Sequence, residues 1–187
     1  MYDGKQAELV RTIVRDALRA AVLGRMYEPP VPEDAAMHAP CGCFVTLKTD
    51  GQLRGCLGCF VSTEPLYLTV ARLTADSALE DPRFADMRLT EAELPHVHFD
   101  VSILSPLEPC PDPESIELGR HGILIRRGGR SGCFLPQVAT ETGWSVAEFW
   151  GNCCSHKAGL PANAWRGADV ERYMFTAEII EGVYAPE

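Results

Sequence analysis

Residues 53 to 58, with the sequence Leu-Arg-Gly-Cys-Leu-Gly, follow a hairpin signal and decide the fold prediction. Residues 44 to 49 predict one strand, Asp50-Gly51 predicts the tight turn, and residues 52 to 60 predict the returning strand. Because side chains alternate between the faces of a strand, Arg54, Cys56 and Gly58 are expected to share one face. The hairpin therefore places a thiol beside a guanidinium.

This central stretch contains the first candidate functional residues. A neighbouring cation favours the thiolate, which is the reactive form of cysteine, so Cys56 is a candidate catalytic nucleophile. Arg54 is a candidate binding residue that favours this thiolate or holds an anionic substrate. Gly55 and Gly58 weaken a strand, so they predict close approach of a ligand or of another backbone. The alternative is a buried structural cysteine between tightly packed glycines.

The whole chain has the length and charge of one globular domain, with room for two lobes. It has 187 residues and a formal net charge of −9, which argues against nucleic acid as the main partner. It shows no signal peptide and no apolar run of the roughly 18 residues that a membrane span needs. We therefore expect a cytoplasmic protein whose eight cysteines are mostly reduced.

Helical and strand patterns are interspersed along the chain. Helices are predicted over residues 3 to 24, from Ser62 or Thr63 to about Glu80, and from the capping box of Ser145 and Glu148 to Lys157 in the last turn. The predicted strands that follow the first hairpin cover residues 97 to 104, 121 to 127, 132 to 136 and 173 to 179. Hairpins mixed with helices indicate an α+β fold with a largely antiparallel sheet.

Four cysteines near the hairpin suggest a zinc site, namely Cys41, Cys43, Cys56 and Cys59. The strand prediction opposes this, because positions 56 and 59 differ by an odd number and point to opposite faces. With a two-residue loop, Val45 is expected to face Cys56, and Cys43 to lie diagonal to it. A thiol pair or small metal site there stays open, but we predict no structural zinc.

Two further candidates lie later in the chain. His121 opens a strand, and its unperturbed pKa lies near neutrality, so it is a candidate general base. The alternative is a hydrogen-bonded structural histidine. Lys157 is a candidate binding residue, although a cation in a last helical turn is also explained by the helix dipole.

Four arginines flank the predicted second hairpin and form either an anion site or a solvated hairpin tip, namely Arg120, Arg126, Arg127 and Arg130. No phosphate-binding P-loop, dinucleotide fingerprint or Gly-x-Ser-x-Gly elbow is present in the sequence. Residue patterns alone therefore indicate an α+β protein with a thiol-centred cleft.

Six motifs in order resemble the AMMECR domain family, over roughly residues 9 to 181. They are Leu53-Arg54-Gly55-Cys56-Leu57-Gly58, Asp81-Pro82-Arg83-Phe84, His121-Gly122-Ile123, Leu135-Pro136-Gln137-Val138-Ala139, Gly143-Trp144, and Lys157-Ala158-Gly159-Leu160-Pro161 with Trp165. Leu57 replaces the usual isoleucine. Ser155 stands where many relatives have cysteine, with Cys153 and Cys154 upstream, which argues against a catalytic cysteine in that helix.

The resemblance implies an α+β fold with a larger and a smaller lobe around a cleft. It implies no established reaction or cofactor. In bacteria and archaea the family is associated with a Memo-like protein and a radical SAM protein, as protein A of the AmmeMemoRadiSam set, so these are the expected partners.

Two hypotheses about function follow. In the first, the protein is an enzyme or enzyme component that uses Cys56 as nucleophile or redox thiol, assisted by Arg54 and with His121 as base. In the second, it is a non-catalytic module that presents Arg54, His121 and Lys157 to a partner protein or a small anion.

Overall fold

The computed structural model describes residues 2–185, and the chain divides into two compact units. Unit 1 comprises Met1–Leu104 and Glu178–Glu187, and unit 2 comprises Ser105–Ala177. The helices are α1 (Gly4–Val22), α2 (Leu66–Leu79), α3 (Pro136–Thr142) and α4 (Val146–Asn152). The strands are β1 (Cys43–Thr49), β2 (Gln52–Cys59), β3 (Val97–Leu104), β4 (Glu108–Pro109), β5 (His121–Arg127), β6 (Arg130–Phe134) and β7 (Glu171–Val183).

Antiparallel pairing is found in both units. In unit 1, β1 pairs with β2 on one side and with β3 on the other. In unit 2, β5 pairs with β6 and with the first part of β7, which also pairs with β4. This arrangement confirms the predicted α+β class with an antiparallel sheet. None of the helices within residues 2–185 has the length and apolar character needed to cross a membrane.

Helix α1 forms as its sequence predicts. The Asp3 side chain accepts hydrogen bonds from the backbone of Lys5 and Gln6, and the Gln6 side chain accepts from the Asp3 backbone, which completes a capping box. Its apolar stripe is buried in the core of unit 1. The helix ends before Gly24, whose φ of +65° is a conformation that glycine adopts without strain.

The first hairpin forms at the predicted turn but with a different register. Asp50 and Gly51 both have positive φ, as a two-residue hairpin turn requires. A register shift lies between Leu47, which faces Gly55, and Lys48, which faces Leu53. Arg54 is therefore an extra residue, a β-bulge that faces no residue of β1.

The bulge moves every later residue of β2 by one position. Cys56 faces Thr46, so the prediction that Val45 faces Cys56 is wrong. Regular alternation, on which the shared face of Arg54 and Cys56 was predicted, is interrupted at Arg54.

Several boundaries differ from those predicted. Pro65, rather than Ser62 or Thr63, is the N-cap of α2. Strand β6 ends at Phe134, and Pro136 begins the unpredicted helix α3, because proline is favoured in the first turn of a helix. Helix α4 is shorter than predicted, and its end continues as a π-helical turn over Cys153–Lys157.

Each unit has its own hydrophobic core. In unit 1, α1 and α2 pack together, and α2 packs on β1 and β2. The β1 side chains that face this core are fully buried, namely Cys43, Val45 and Leu47. In unit 2, the core surrounds the fully buried rings of Phe149 and Trp150 and includes Ile123 and Ile125 of β5.

Candidate functional site

Cys56 lies on the face of the unit 1 sheet that is opposite the core. It faces Thr46 on β1, which in turn faces Asp100 on β3, so these three residues form one row across the sheet. The Thr46 hydroxyl donates a hydrogen bond to the Cys56 Sγ over 3.1 Å. Lys48 Nζ lies 3.1 Å from Asp100 Oδ2. The half-buried thiol therefore lies in a polar row.

The carboxylate of Asp81 organises the backbone around Cys56. Its side chain is only 1% exposed. It accepts hydrogen bonds from the Cys56 N–H at 2.9 Å, and from Nε of Arg83 at 3.0 Å and Nη2 of Arg83 at 2.6 Å. The Arg83 side chain is the largest cause that lowers the pKa of Asp81 to about 2, and the two backbone N–H groups of Cys56 and Arg83 lower it further against the effect of burial.

Arg83 is the cation beside Cys56. Its Nη2 donates to the Cys56 carbonyl oxygen over 3.1 Å, while its side chain stays 55% exposed. Asp81 is the main cause that raises the pKa of Arg83, and the side chain of Cys56 adds to this effect through its charge and a hydrogen bond. Sequence reasoning did not choose Arg83. The signal that was present is the Asp-Pro-Arg-Phe motif, one of the six in the family resemblance.

Arg54 has different partners from those predicted. Its guanidinium forms an ion pair with Glu93 and donates from Nη2 to the Met87 carbonyl oxygen over 2.8 Å. Its side chain is 17% exposed, and its hydrogen bond is the largest cause that lowers the pKa of Glu93. Arg54 therefore connects the bulge of β2 to the segment before β3.

Gly55 and Gly58 are explained by close packing. A Cβ on Gly55 would overlap the backbone carbonyl of Ser77 in α2. A Cβ on Gly58 would overlap the ring of Phe44 on β1. The close approach predicted at these glycines is therefore made by a backbone and by an aromatic side chain of the chain itself.

Ser77 inserts its hydroxyl between the two strands of the hairpin. The Leu57 N–H donates to Ser77 Oγ over 3.0 Å, and Ser77 Oγ donates to the Val45 carbonyl oxygen over 2.9 Å. Leu57 and Val45 face each other in the register, so the hydroxyl bridges their backbone groups. Helix α2 and the residues just after it thus fix the backbone of both Cys56 and Leu57.

His121 and Lys157 belong to unit 2. The Glu117 N–H donates to His121 Nδ1 over 3.0 Å, so the neutral ring carries its proton on Nε2. In this tautomer Nε2 carries the N–H group, and base chemistry at Nε2 would require the bond to Glu117 to break. Lys157 extends along β6, and its Nζ lies 5.6 Å from the centre of the Phe134 ring.

The hairpin arginines are engaged by neighbouring groups of unit 2. Arg127 forms an ion pair with Asp169 at 2.7 Å, and Arg130 donates to the Gly159 carbonyl oxygen over 2.7 Å. Arg126 lies over the ring of Tyr173. These contacts explain the cluster as a mixed-charge hairpin surface, since each of these three guanidiniums has a partner.

The register separates the cysteines that suggested zinc. Cys59 faces Cys43 and Cys56 faces Thr46, which confirms that Cys56 and Cys59 point to opposite faces. Within residues 2–185, no three His, Cys, Asp or Glu side chains are grouped so that they could hold a metal ion.

The comparisons with known proteins agree with the resemblance. The AMMECR1 family model matches residues 10–180. Protein NEQ441 of Nanoarchaeum equitans is 38% identical over 182 residues, which cover 94% of this chain and 97% of that protein. Protein MK0488 of Methanopyrus kandleri is 44% identical over 148 residues, which cover 75% of this chain and 70% of that protein.

A solved structure shows the same fold. The crystal structure of the uncharacterised protein PH0010 from Pyrococcus horikoshii has a TM-score of 0.86 and 34% identity, and the match covers 96% of this chain and 92% of that one. Both the family model and the archaeal relatives extend over most of the chain. The chain therefore belongs to the AMMECR1 family.

Proposed function

We propose that the protein is a thiol-dependent component of a modification pathway, in which Cys56 acts as the nucleophile. The observation that carries the proposal is the arrangement of Cys56, Arg83 and Asp81. A buried carboxylate fixes a guanidinium beside a half-buried thiol, and the Thr46 hydroxyl donates to the same sulfur. Cations and hydrogen-bond donors favour the thiolate, which attacks electrophilic atoms.

The environments of six other cysteines support the choice of Cys56. Burial is the largest cause that raises the pKa of each of these thiols, so they are protonated at neutral pH; they are Cys41, Cys43, Cys110, Cys133, Cys153 and Cys154. Cys56 is half-buried, and both the Arg83 side chain and the Thr46 hydroxyl contact it.

The proposal gives Arg83 the role that the sequence suggested for Arg54. Arg83 keeps its exposed side chain near the thiol, where its charge attracts an anionic substrate. Arg54 positions the bulge through Glu93 and the Met87 carbonyl. His121 and Lys157 belong to unit 2, and their proposed roles are separate from this arrangement. His121 is proposed as a hydrogen-bond donor through Nε2, and Lys157 is proposed as a contact for an anionic or protein partner.

The proposed partners are a Memo-like protein and a radical SAM protein, and the family resemblance alone supports them. A nucleophilic thiol in such a set would receive an electrophilic group from one component and pass it on. The thiol bonds to the electrophile, its proton leaves to solvent, and the leaving group departs with the bonding electrons.

The test is the rate of native-state alkylation with iodoacetamide, measured at each cysteine by peptide mass spectrometry between pH 6 and pH 9. Cys56 should react before the buried thiols. Arg83→Gln should slow its alkylation at pH 7 about three- to tenfold, because the thiolate loses its cation. Arg88→Gln removes a neighbouring exposed charge and serves as the matched control, and Arg54→Gln should leave the rate within about twofold.

Two results would contradict the proposal. One is that Cys56 reacts only when the chain is unfolded by urea. The other is that Arg83→Gln and Arg88→Gln give the same rate as the unsubstituted protein. Either result would favour the second hypothesis, in which the protein is a non-catalytic binding module.

A further inference from the structure

Three cysteines of unit 1 gather where β1 begins and β2 ends, on the core side of the sheet. Cys43 directly faces Cys59 in the antiparallel pair, and Cys41 lies two residues before Cys43. Facing residues of antiparallel strands have Cα atoms about 4.5–5.5 Å apart. This separation lies within the range of about 4.4–6.8 Å that disulfides require.

The surroundings of the three thiols differ. Cys43 is fully buried, whereas Cys41 and Cys59 are half-buried at the rim of the unit 1 core. Cys41 shares a hydrogen bond with the phenol of Tyr2. Burial raises the pKa of Cys41 and Cys43, and the charge of Cys59 raises both further. Cys59 is therefore the thiol of this group that both reaches the surface and faces a second thiol directly.

We propose that Cys59 and Cys43 form a dithiol–disulfide site that is oxidised by hydroperoxides and is independent of Cys56. In the first step the Cys59 thiolate attacks one peroxide oxygen, the O–O bond breaks, and the other oxygen leaves as an alcohol or water after taking a proton. The Cys59 sulfur loses two electrons and becomes a sulfenic acid.

In the second step Cys43 closes the disulfide. Its sulfur attacks the Cys59 sulfur, the S–O bond breaks, and water leaves with the proton that Cys43 releases. The facing position brings the two residues together across the ladder, so the second step is intramolecular. Cys56 has no such partner opposite it, because Thr46 is its facing residue.

The experiment oxidises the reduced full-length chain with hydrogen peroxide, blocks the remaining thiols with N-ethylmaleimide, and digests without reduction. Trypsin cleaves after Arg25, Lys48, Arg54 and Arg72, which places Cys41 and Cys43 in residues 26–48 and Cys59 in residues 55–72. A Cys56→Ser background leaves Cys59 as the one cysteine of the second peptide.

We expect the two peptides to be joined, with the loss of two hydrogens per chain and full reversal by dithiothreitol. Cys41→Ala should keep the link, whereas Cys43→Ala and Cys59→Ala should each abolish it. Cys110→Ala, which removes a buried thiol from unit 2, is the matched control and should keep it.

Three outcomes would overturn the proposal. They are a link that survives in Cys43→Ala and disappears in Cys41→Ala, irreversible sulfinic acid at Cys59 without a link, and no loss of thiols under peroxide. If Cys43→Ala does not fold, fragmentation of the linked peptide from the Cys56→Ser chain decides between Cys41 and Cys43 by itself.

Discussion

Replacing Asp81 by asparagine tests the centre of the candidate site. The carboxylate is 1% exposed and accepts hydrogen bonds from the Arg83 side chain and the Cys56 N–H. These bonds bring its pKa from 3.8 to about 2. At about 1.4 kcal/mol for each unit of pKa, this difference corresponds to about 2 kcal/mol of folding stability at pH 7. Asp81→Asn should therefore lower the free energy of unfolding by about 2 kcal/mol at pH 7.

The pH dependence of the stability loss in Asp81→Asn tests the role of the carboxylate charge more directly than the size of the loss at pH 7. The pKa of Asp81 is lower in the folded chain than in the unfolded chain. Its contribution is therefore complete above about pH 4 and is lost as the pH falls through about 2. The difference in the free energy of unfolding between the unsubstituted protein and Asp81→Asn should shrink to about 1 kcal/mol at pH 3 and to a few tenths of a kcal/mol at pH 2.

Urea unfolding at each pH measures this difference. Asp86→Asn removes the same charge from an exposed neighbour and is the matched control, which should change stability by less than about 0.5 kcal/mol at every pH. The reasoning would be refuted by an Asp81→Asn loss that is the same at pH 7 and pH 3, because the carboxylate charge would then have no part in it.

Three further predictions follow from the same region and from the charge of the chain. Ser77→Ala should lower the free energy of unfolding by about 1–3 kcal/mol in urea titrations, because it leaves the Leu57 N–H and the Val45 carbonyl without their bridge; a loss near zero would contradict this. Gly55→Ala should cost about 2 kcal/mol or more by thermal unfolding, since its Cβ overlaps the Ser77 carbonyl, and an unchanged midpoint would count against the packing. The net charge of −9 predicts no tight binding to duplex DNA, so binding that weakens steeply as salt rises would contradict it.

The comparison of Arg54 with Arg83 shows how local sequence and tertiary structure each place a cation near Cys56. Both arginines belong to motifs of the family resemblance, and only Arg54 is close to Cys56 in sequence. The regular alternation of a strand favoured Arg54, but a bulge at that residue interrupts the alternation. Arg83 is 27 residues away in sequence, and its contact with Cys56 depends on where the chain turns after α2.

Local patterns by themselves determined several elements of this protein. The capping box of Asp3 and Gln6, together with an apolar stripe, specified α1. Asp50-Gly51 specified the hairpin turn, because both positions need positive φ. The alternation in residues 97 to 104 specified β3. Each of these signals is carried by residues that are close in sequence, so it can be recognised without the tertiary structure.

Only the tertiary structure decided how Cys56 is held. The Cys56 N–H bonds to a residue 25 positions later, and the Leu57 N–H to one 20 positions later. Asp81 and Ser77 reach these groups because α2 packs on the hairpin and because Gly55 has no Cβ to keep the helix backbone away. A hydrogen bond between segments that are distant in sequence depends on how whole helices and strands pack. A local sequence pattern therefore does not predict which residues it will join.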